Sequence, residues 1–212
     1  LTGQWGFRAP VTASKGLVLV EGDGVGGTLY ALDQGTGELA WSVDVMGGGR
    51  SAPAVDDTGV YVSYDCHDVV KLDLLGNERW HRSGSCTGGG ATTPVLHDGK
   101  VWVREFLGDP PYLLDAMTGE DLPGTFGPFS GIRAPAFDGR VVATVGGGTL
   151  TVSDTVTGET LWQAPTSGHA LAPLIANHYV ISVNGDAVVE ARLVQTGALV
   201  WSAPQGSSLV QA

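Results

Sequence analysis

Residues 27–41, with the sequence GTLYALDQGTGELAW, decide the fold of this 212-residue chain. The segment predicts a strand over residues 29–33, a tight turn, and a second strand that contains Trp41. Asp33 can accept backbone N–H groups inside the turn, and Gly35 and Gly37 permit the positive φ that tight turns require. The pattern is therefore typical of two antiparallel strands joined by a short turn.

The same unit recurs along the chain. Further copies are DLLGNERW at 73–80, DAMTGEDLP at 115–123, DTVTGETLW at 154–162 and RLVQTGALVW at 192–201. The first four copies begin with aspartates at a spacing of about 40 residues, which is the length of one propeller blade. These aspartates are Asp33, Asp73, Asp115 and Asp154.

Each repeat predicts four short strands. An inner strand follows a proline, two strands rich in β-branched residues come next, and the fourth strand carries the tryptophan. The inner-strand prolines are Pro10, Pro53, Pro94, Pro135 and Pro173. The prediction is an all-β chain, a β-propeller of four-stranded antiparallel blades, with repeats at about 9–51, 52–92, 93–133, 134–171 and 172–212.

The tryptophans of the outer strands are expected to be structural. A large flat ring can cover the apolar gap between neighbouring blades, and this role is assigned to Trp41, Trp80, Trp162 and Trp201. The four aspartates are interpreted as turn residues and not as acid–base pairs. The third repeat has Pro123 where the tryptophan is expected, so its outer edge should be looser.

The two ends of the sequence do not balance. Phe7 follows Gly3 as Trp41 follows Gly37, so residues 1–8 are predicted to form the outer strand of a preceding blade. Three arrangements fit this count. The chain is part of a larger, seven- or eight-bladed propeller; a second copy completes it; or five blades close and leave that strand superfluous. An open arc would favour self-association.

Charge narrows the classes of partner. The chain has 22 acidic and 11 basic residues and a net charge of −11. A strongly acidic surface repels phosphate backbones and anionic lipid, which argues against nucleic-acid binding and membrane docking. No apolar run reaches the roughly 18 residues that a membrane span requires.

Two cysteines, Cys66 and Cys86, fall in the same repeat. Each lies past the end of a predicted strand, the second and the fourth, at one edge of the blade, so a disulfide between them is geometrically feasible. A disulfide would place the protein in an oxidising compartment. Two free buried thiols are the alternative. The absence of a Cys-x-x-Cys pair and of a spaced histidine pair argues against zinc.

The loops that lead into the inner strands are the expected place for a ligand. Arg8, Arg50 and Arg133 come two or three residues before the inner-strand prolines, and His169 lies in an equivalent loop. In a closed ring these side chains would face a common funnel, where guanidinium groups could hold carboxylates. The alternative is that each arginine bridges neighbouring loops or pairs with an acidic residue. No catalytic residue and no metal cluster is predicted.

The motif Tyr-Ala-Leu-Asp-x-x-Thr-Gly-x-x-x-Trp at residues 30–41 resembles the tryptophan-docking repeat of pyrroloquinoline-quinone (PQQ)-type β-propellers, and the resemblance covers nearly the whole chain. It implies a propeller fold. Some family members are quinoprotein dehydrogenases. Others have lost the cofactor, among them the lipoprotein of the outer-membrane β-barrel assembly machinery and extracytoplasmic sensor regions of actinobacterial Ser/Thr kinases.

The family's dehydrogenases carry adjacent cysteines over the quinone and a Glu/Asn/Asp set for calcium. Here Cys66 and Cys86 are far apart, and no such calcium set is recognised. The expectation is therefore a propeller without a cofactor, secreted, periplasmic or on the cell surface. It would act as a scaffold or sensor for a protein partner or a small anionic ligand. The alternative is a fragment of a PQQ- and calcium-dependent dehydrogenase.

Overall fold

The computed structural model describes residues 6–7, 9–22, 27–45, 51–64, 68–84, 92–104, 112–123, 133–166, 171–184, 186 and 188–203. These residues form nineteen β-strands and no helix, as the sequence predicts. The chain divides into two compact units, Leu1–Phe126 and Gly127–Ala212. The first unit contains three sheets and the second contains two.

In every sheet the strands pair in chain order and antiparallel. The first sheet of unit 1 contains β1 (Thr12–Ser14), β2 (Leu17–Glu21), β3 (Thr28–Asp33) and β4 (Leu39–Asp44). The second contains β5 (Ala54–Val55), β6 (Val60–Tyr64), β7 (Asp68–Leu72) and β8 (Glu78–Arg82). The third contains β9 (Val95–His97), β10 (Lys100–Val103) and β11 (Tyr112–Asp115).

Unit 2 repeats the four-stranded pattern twice. Its first sheet contains β12 (Ala136–Asp138), β13 (Val141–Gly146), β14 (Thr149–Asp154) and β15 (Thr160–Pro165). Its second contains β16 (Leu174–Ala176), β17 (Tyr179–Val183), β18 (Val189–Leu193) and β19 (Leu199–Ser202). Every inner strand begins one or two residues after its proline, where the missing N–H no longer interrupts the ladder.

The third sheet departs from the pattern within the residues that the structure describes. After β11 the chain makes one isolated bridge, between Leu114 and Asp121, and the Leu122 N–H donates to the Leu113 carbonyl at 2.8 Å. Pro123 follows at the position that carries tryptophan in the other repeats. Proline donates no N–H to a ladder, which is consistent with the absence of a regular fourth strand up to this residue.

The complete sheets share a bulge between the third and fourth strands. The register shifts at Ala31/Leu32, at Lys71/Leu72, at Val152/Ser153 and at Ala191/Arg192. In each case the residue opposite the first member of the pair is the tryptophan of the outer strand. A bulge bends the strand and re-aims a side chain, so the repeated irregularity puts all four tryptophans at the same position in the register of their sheet.

The apolar core lies between consecutive sheets. In unit 1, one cluster joins the first and second sheets, with Leu29 and Val62 as members, and another joins the second and third, with Val69 and Leu114 as members. A cluster in unit 2 joins its two sheets. Because the second sheet packs on both faces, β6 and β7 are buried at every position.

Replacement of a core leucine should cost far more than replacement of an edge leucine. Leu29 is fully buried, whereas Leu39 on the outer strand of the same sheet is 55% exposed. Leu29→Ala should reduce the free energy of unfolding by roughly 2–5 kcal/mol because it leaves a cavity. Leu39→Ala is the matched control and should stay within about 0.5 kcal/mol of wild type. Urea unfolding followed by tryptophan fluorescence measures both. Equal losses would contradict this core assignment.

Candidate functional site

The turn between the third and fourth strands is built around its aspartate. The Asp33 Oδ1 accepts the N–H groups of Gly35 and Thr36 at 2.9 and 2.7 Å, and Asp115 and Asp154 accept the equivalent pairs at 2.8 Å. These backbone hydrogen bonds are the main reason that the pKa of each of these three carboxyls lies below its usual value. In the fifth repeat Leu193 replaces the aspartate, and its turn retains the backbone bond from Gly197 N–H to Leu193 O at 2.9 Å.

The second repeat has a different turn. Asp73 accepts the backbone N–H groups of Leu75 and Asn77 at 2.9 and 2.8 Å, and the Asn77 side chain donates to its other oxygen at 2.9 Å. The Arg79 guanidinium also reaches that second oxygen at 2.9 Å. Hydrogen bonding, foremost from the Asn77 side chain, lowers the pKa of Asp73.

Three tryptophans contact the turn of the following sheet. The indole N–H donates to the carbonyl of the residue that follows the turn aspartate or its equivalent. These bonds are Trp41 to Leu74 at 3.0 Å, Trp80 to Ala116 at 3.2 Å and Trp162 to Val194 at 2.7 Å. The first two lie in unit 1 and the third in unit 2. Each therefore satisfies one polar group of the ring at the junction between two sheets.

A glycine in the same turn lies under each ring. A Cβ added to Gly76, Gly119 or Gly197 would approach the ring carbons of Trp41, Trp80 or Trp162 to 2.8, 2.6 and 2.7 Å. All three glycines also have a φ between +71° and +86°. Two constraints therefore coincide at one position, since the backbone needs a left-handed conformation and the ring leaves no space for a side chain.

Trp201 is placed differently from the other three. It pairs with Ala191 in β18, as Trp41 pairs with Ala31 in β3, but its side chain is 43% exposed. No acceptor for its indole N–H is found among the described residues. The bulge thus presents the ring on the usual face of the sheet, and in this case the face is open to solvent.

One carbonyl gathers three side-chain donors from the second sheet. The Ala116 oxygen accepts the Trp80 indole at 3.2 Å, the Tyr61 hydroxyl at 3.2 Å and the Lys71 ammonium at 2.8 Å. Burial lowers the pKa of Lys71 and raises the pKa of Tyr61 to about 12, and it is the largest cause of both shifts. Asp56 Oδ2 also lies 3.2 Å from the Tyr61 hydroxyl, so the single hydrogen of this phenol is shared between the Asp56 carboxylate and the Ala116 carbonyl. The cluster is a polar junction inside an otherwise apolar interface.

A second polar cluster lies at the opposite end of the second sheet. His81 Nε2 is 3.1 Å from Asp68 Oδ1 and 3.0 Å from the Tyr64 hydroxyl. Because a carboxylate only accepts, His81 Nε2 must carry the hydrogen that it shares with Asp68. Burial raises the pKa of Tyr64 to about 12, so the phenol stays protonated at neutral pH. This arrangement can order the strand ends, but it supplies no nucleophile.

The loops that precede the inner strands are joined by hydrogen bonds in unit 1. The Ala52 N–H donates to Thr93 Oγ1 at 2.9 Å, and the Thr12 hydroxyl donates to the Pro53 carbonyl at 2.7 Å. Arg104, which is 7% exposed, donates from Nη2 to the Thr93 carbonyl at 3.1 Å. Arg104, a buried arginine directly after β10, is therefore a positively charged residue that lies next to these loops in unit 1.

Most of the predicted ligand funnel lies outside the described residues. Arg8, Arg50 and His169 belong to that part of the chain, as do Cys66 and Cys86. Arg133 is described and is half-buried just before β12. The funnel and the disulfide therefore stay predictions. Phe7 is described as well, and its ring meets the Tyr30 ring edge to face with centroids 6.0 Å apart.

Exposed apolar side chains occur at the tips of the aspartate turns. In unit 1, Leu75 is 77% exposed and Met117 is 69% exposed, each two residues after its turn aspartate. In unit 2, Val156 occupies the same turn position and is 72% exposed. We call the edge of each sheet that carries these turns the turn edge. Large exposed apolar groups mark a surface that binds another protein where they lie close together in one patch.

No group of three or more His, Cys, Asp or Glu side chains is placed to hold a metal ion in the described part of the chain. The described residues also include no helix of the length and hydropathy that a membrane span requires.

The repeat pattern and the sheets agree with a known family. The family model described as "Outer membrane protein assembly factor BamB" matches residues 2–109 and 112–211. The chain belongs to this family. The resemblance to PQQ-type repeats is thereby confirmed. A comparison with curated proteins finds no match.

Solved structures show the BamB-type fold at low identity. BamB from Moraxella catarrhalis is 20% identical with a TM-score of 0.69, over 94% of this chain and 65% of its own. The computationally designed Ika8 protein is 21% identical with a TM-score of 0.74, over 95% and 63%. Quinohemoprotein alcohol dehydrogenase ADHIIG from Pseudomonas putida HK5 is 16% identical with a TM-score of 0.65, over 96% and 42%.

These likenesses confirm the predicted β-propeller class. The chain spans less than two thirds of the length of each of these three structures.

Several contacts described above cannot be recognised from the sequence pattern. The pattern assigns the turn glycines to the backbone alone, and it indicates no contact for Lys71, Tyr64 or His81. One sequence signal existed, because Lys71 interrupts the otherwise apolar run VVKL at residues 69–72.

The tryptophan contact predicts a difference between two glycines of the third repeat. Gly119 and Gly99 both have left-handed φ angles, but a Cβ on Gly99 meets no atom within 4 Å. Gly99→Ala should reduce the free energy of unfolding by about 1 kcal/mol through backbone strain alone. Gly119→Ala should cost about 1–3 kcal/mol more, because the Cβ displaces the Trp80 ring. Urea titration measures both variants. Equal losses would exclude a tight ring contact.

The turn carboxylates predict a specific pH dependence of stability. The pKa of Asp115 in the folded chain lies below its ordinary value of 3.8, chiefly because of the Thr118 N–H bond. Its contribution to stability is therefore present above pH 3.8 and is lost as the pH falls through the lower, folded pKa. Asp115→Asn keeps an acceptor but has no titrating group.

The wild type should accordingly be more stable than Asp115→Asn at pH 7, and this advantage should decline as the pH falls below 3.8 and vanish once the pH is below the folded pKa. Urea unfolding at a series of pH values measures it. Glu120→Gln removes a neighbouring exposed charge and serves as the control. If Glu120→Gln shows the same pH-dependent loss, general charge repulsion and not the turn is responsible.

Proposed function

We propose that this chain acts as a non-catalytic protein-interaction scaffold outside the cytoplasm. The observation that carries the proposal is the repeated exposure of large apolar side chains at the turn edge, with Leu75 and Met117 as the examples in unit 1. The family description, an outer membrane protein assembly factor, supports both the scaffold role and the location.

The composition of the turn edge is suited to contact with another protein. The Lys15 ammonium pairs with Asp57, and Arg79 pairs with Asp73 at 2.9 Å, so charged groups flank the exposed apolar tips. An apolar centre with a charged rim is the usual composition of a protein–protein interface. The aspartate turns are held by their own hydrogen bonds, so these tips are presented in a defined position at little entropic cost.

A small anionic ligand at the inner-strand loops stays a subordinate proposal. It is supported in the described residues by Arg133, a half-buried guanidinium that precedes β12. Guanidinium groups bind carboxylates through paired hydrogen bonds, which is the chemistry that such a ligand would need.

Site-specific photo-crosslinking in the native host tests the scaffold. A photoreactive amino acid at Leu75 or Met117 should give a discrete adduct with another extracytoplasmic protein. Ser83, which is exposed beyond β8 at the opposite edge, provides the control position. The adduct formed from Met117 should disappear when Leu75→Glu introduces a charge into the surface. Identical adducts from Ser83, or none from either turn position, would contradict the proposal.

A further inference from the structure

The residue opposite the tryptophan is unusual in the second sheet. In the other complete sheets the residue that pairs with the tryptophan is apolar, namely Ala31, Val152 or Ala191. In the second sheet it is Lys71, which is 3% exposed and whose Nζ lies 5.0 Å from the centroid of the Tyr61 ring. A buried charge is costly, and an apolar side chain of similar volume is often at least as stable at such a position. Stability alone is therefore a poor reason for a lysine here.

The Lys71 ammonium faces charged groups from both sheets of its junction. It donates to the Ala116 carbonyl in the turn of the third repeat at 2.8 Å. Burial lowers the pKa of this ammonium, the carboxylates of Asp56 in the second sheet and Asp115 in the third act in the opposite direction, and the Arg79 guanidinium adds to the lowering. The second sheet thus meets the third turn through a positive charge that has both a carbonyl and a carboxylate nearby.

Three other turns hold a guanidinium from their own sheet. In the fifth repeat Leu193 replaces the aspartate, and the preceding Arg192 donates to the Gly197 carbonyl of the same turn at 3.1 Å. In the second and fourth repeats an arginine pairs with the turn carboxylate. These pairs are Arg79 with Asp73 and Arg140 with Asp154, both at 2.9 Å. An additional cation would therefore meet a like charge on each of these turns.

The turn of the third repeat receives a positive charge from the preceding sheet. Hydrogen bonding, foremost from the Thr118 N–H, lowers the pKa of Asp115, and the charge of Lys71 lowers it further. Lys100 of the third sheet stands opposite Asp115 in the register and pairs with Asp98 at 3.8 Å. The ammonium of the second sheet and the carboxylate of the third turn are therefore complementary across the junction.

Repeats that use one kind of contact can assemble in a wrong order, and the same indole contact joins three pairs of sheets in this chain. We propose that Lys71 determines the order at the junction of the second and third sheets. Its ammonium favours the turn that offers the Asp115 carboxylate. On the turn of the fifth repeat, or on the second-repeat turn of another copy, it would meet Arg192 or Arg79 and be repelled. The inference is independent of the scaffold role, because no partner protein takes part.

Fluorine NMR of the 212-residue chain, labelled with fluorinated tryptophan and refolded from urea, tests the proposal. The number of Trp80 resonances reports on how many turns this ring lies, and Trp80→Phe identifies them. The wild type should give one resonance. Lys71→Met should keep a urea midpoint close to that of the wild type, because methionine fills a similar volume without a charge. It should add a second Trp80 resonance with about a tenth of the intensity or more, which a tenfold loss of discrimination produces.

Two further variants make the result decisive. Lys100→Met is the matched control, since it removes a lysine charge near the same turn from the third sheet, and it should leave one Trp80 resonance. Asp115→Asn removes the carboxylate that Lys71 faces and leaves the Ala116 carbonyl in place, so it should add the second resonance as Lys71→Met does.

A single Trp80 resonance in folded Lys71→Met overturns the proposal and, if the urea midpoint has fallen, leaves Lys71 a purely structural role. A second resonance in Lys100→Met also overturns it, because any lysine charge near the turn would then have the same effect. If Lys71→Met does not fold, Asp115→Asn decides in the same way: two Trp80 resonances support the proposal and one overturns it.

Discussion

The structure depends on the contact between one tryptophan and the turn of the following sheet. Each sheet alone is a thin layer with two apolar faces and cannot bury either of them. The indole ring of Trp41, Trp80 or Trp162 closes the outer end of the junction, where the apolar cluster would otherwise meet water. Its N–H donates a hydrogen bond to a carbonyl in the turn of the next sheet. The ring therefore both covers the apolar cluster and fixes the position of the next sheet.

This contact explains why the turns vary less than the strands. The aspartate holds the turn through backbone N–H groups, the glycine provides both the left-handed φ and the space for the ring, and the next carbonyl receives the indole. Three residues thus serve one contact. Where the aspartate is replaced by Leu193, the glycine and the carbonyl remain, and Trp162 still binds the turn at 2.7 Å. The ring contact therefore tolerates loss of the carboxylate.

The sequence predicts the succession of short strands, and the strand expected at residues 29–33 is observed at Thr28–Asp33, because prolines, turn glycines and β-branched runs act locally. The contacts that join one sheet to the next are harder to predict from the sequence. Trp80 and the Ala116 carbonyl are 36 residues apart, and nothing in the local pattern of either residue names the other. Lys71 is buried beside the same carbonyl, although lysine usually indicates a solvent-facing position. The candidate arginine funnel illustrates the same limit, since its members are distant in sequence and only the fold can bring them together.

Pro123 has a consequence for cooperativity. In an array of repeats, stability is the sum of the stabilities of the repeats and of the couplings between neighbours. A proline has neither an indole N–H nor a flat ring to lie on a glycine, so the third repeat lacks the group that carries this coupling elsewhere. The boundary between the two compact units, after Phe126, follows closely upon this residue. A single residue in one repeat thus lowers the number of indole contacts that are available to couple the repeats of this polypeptide.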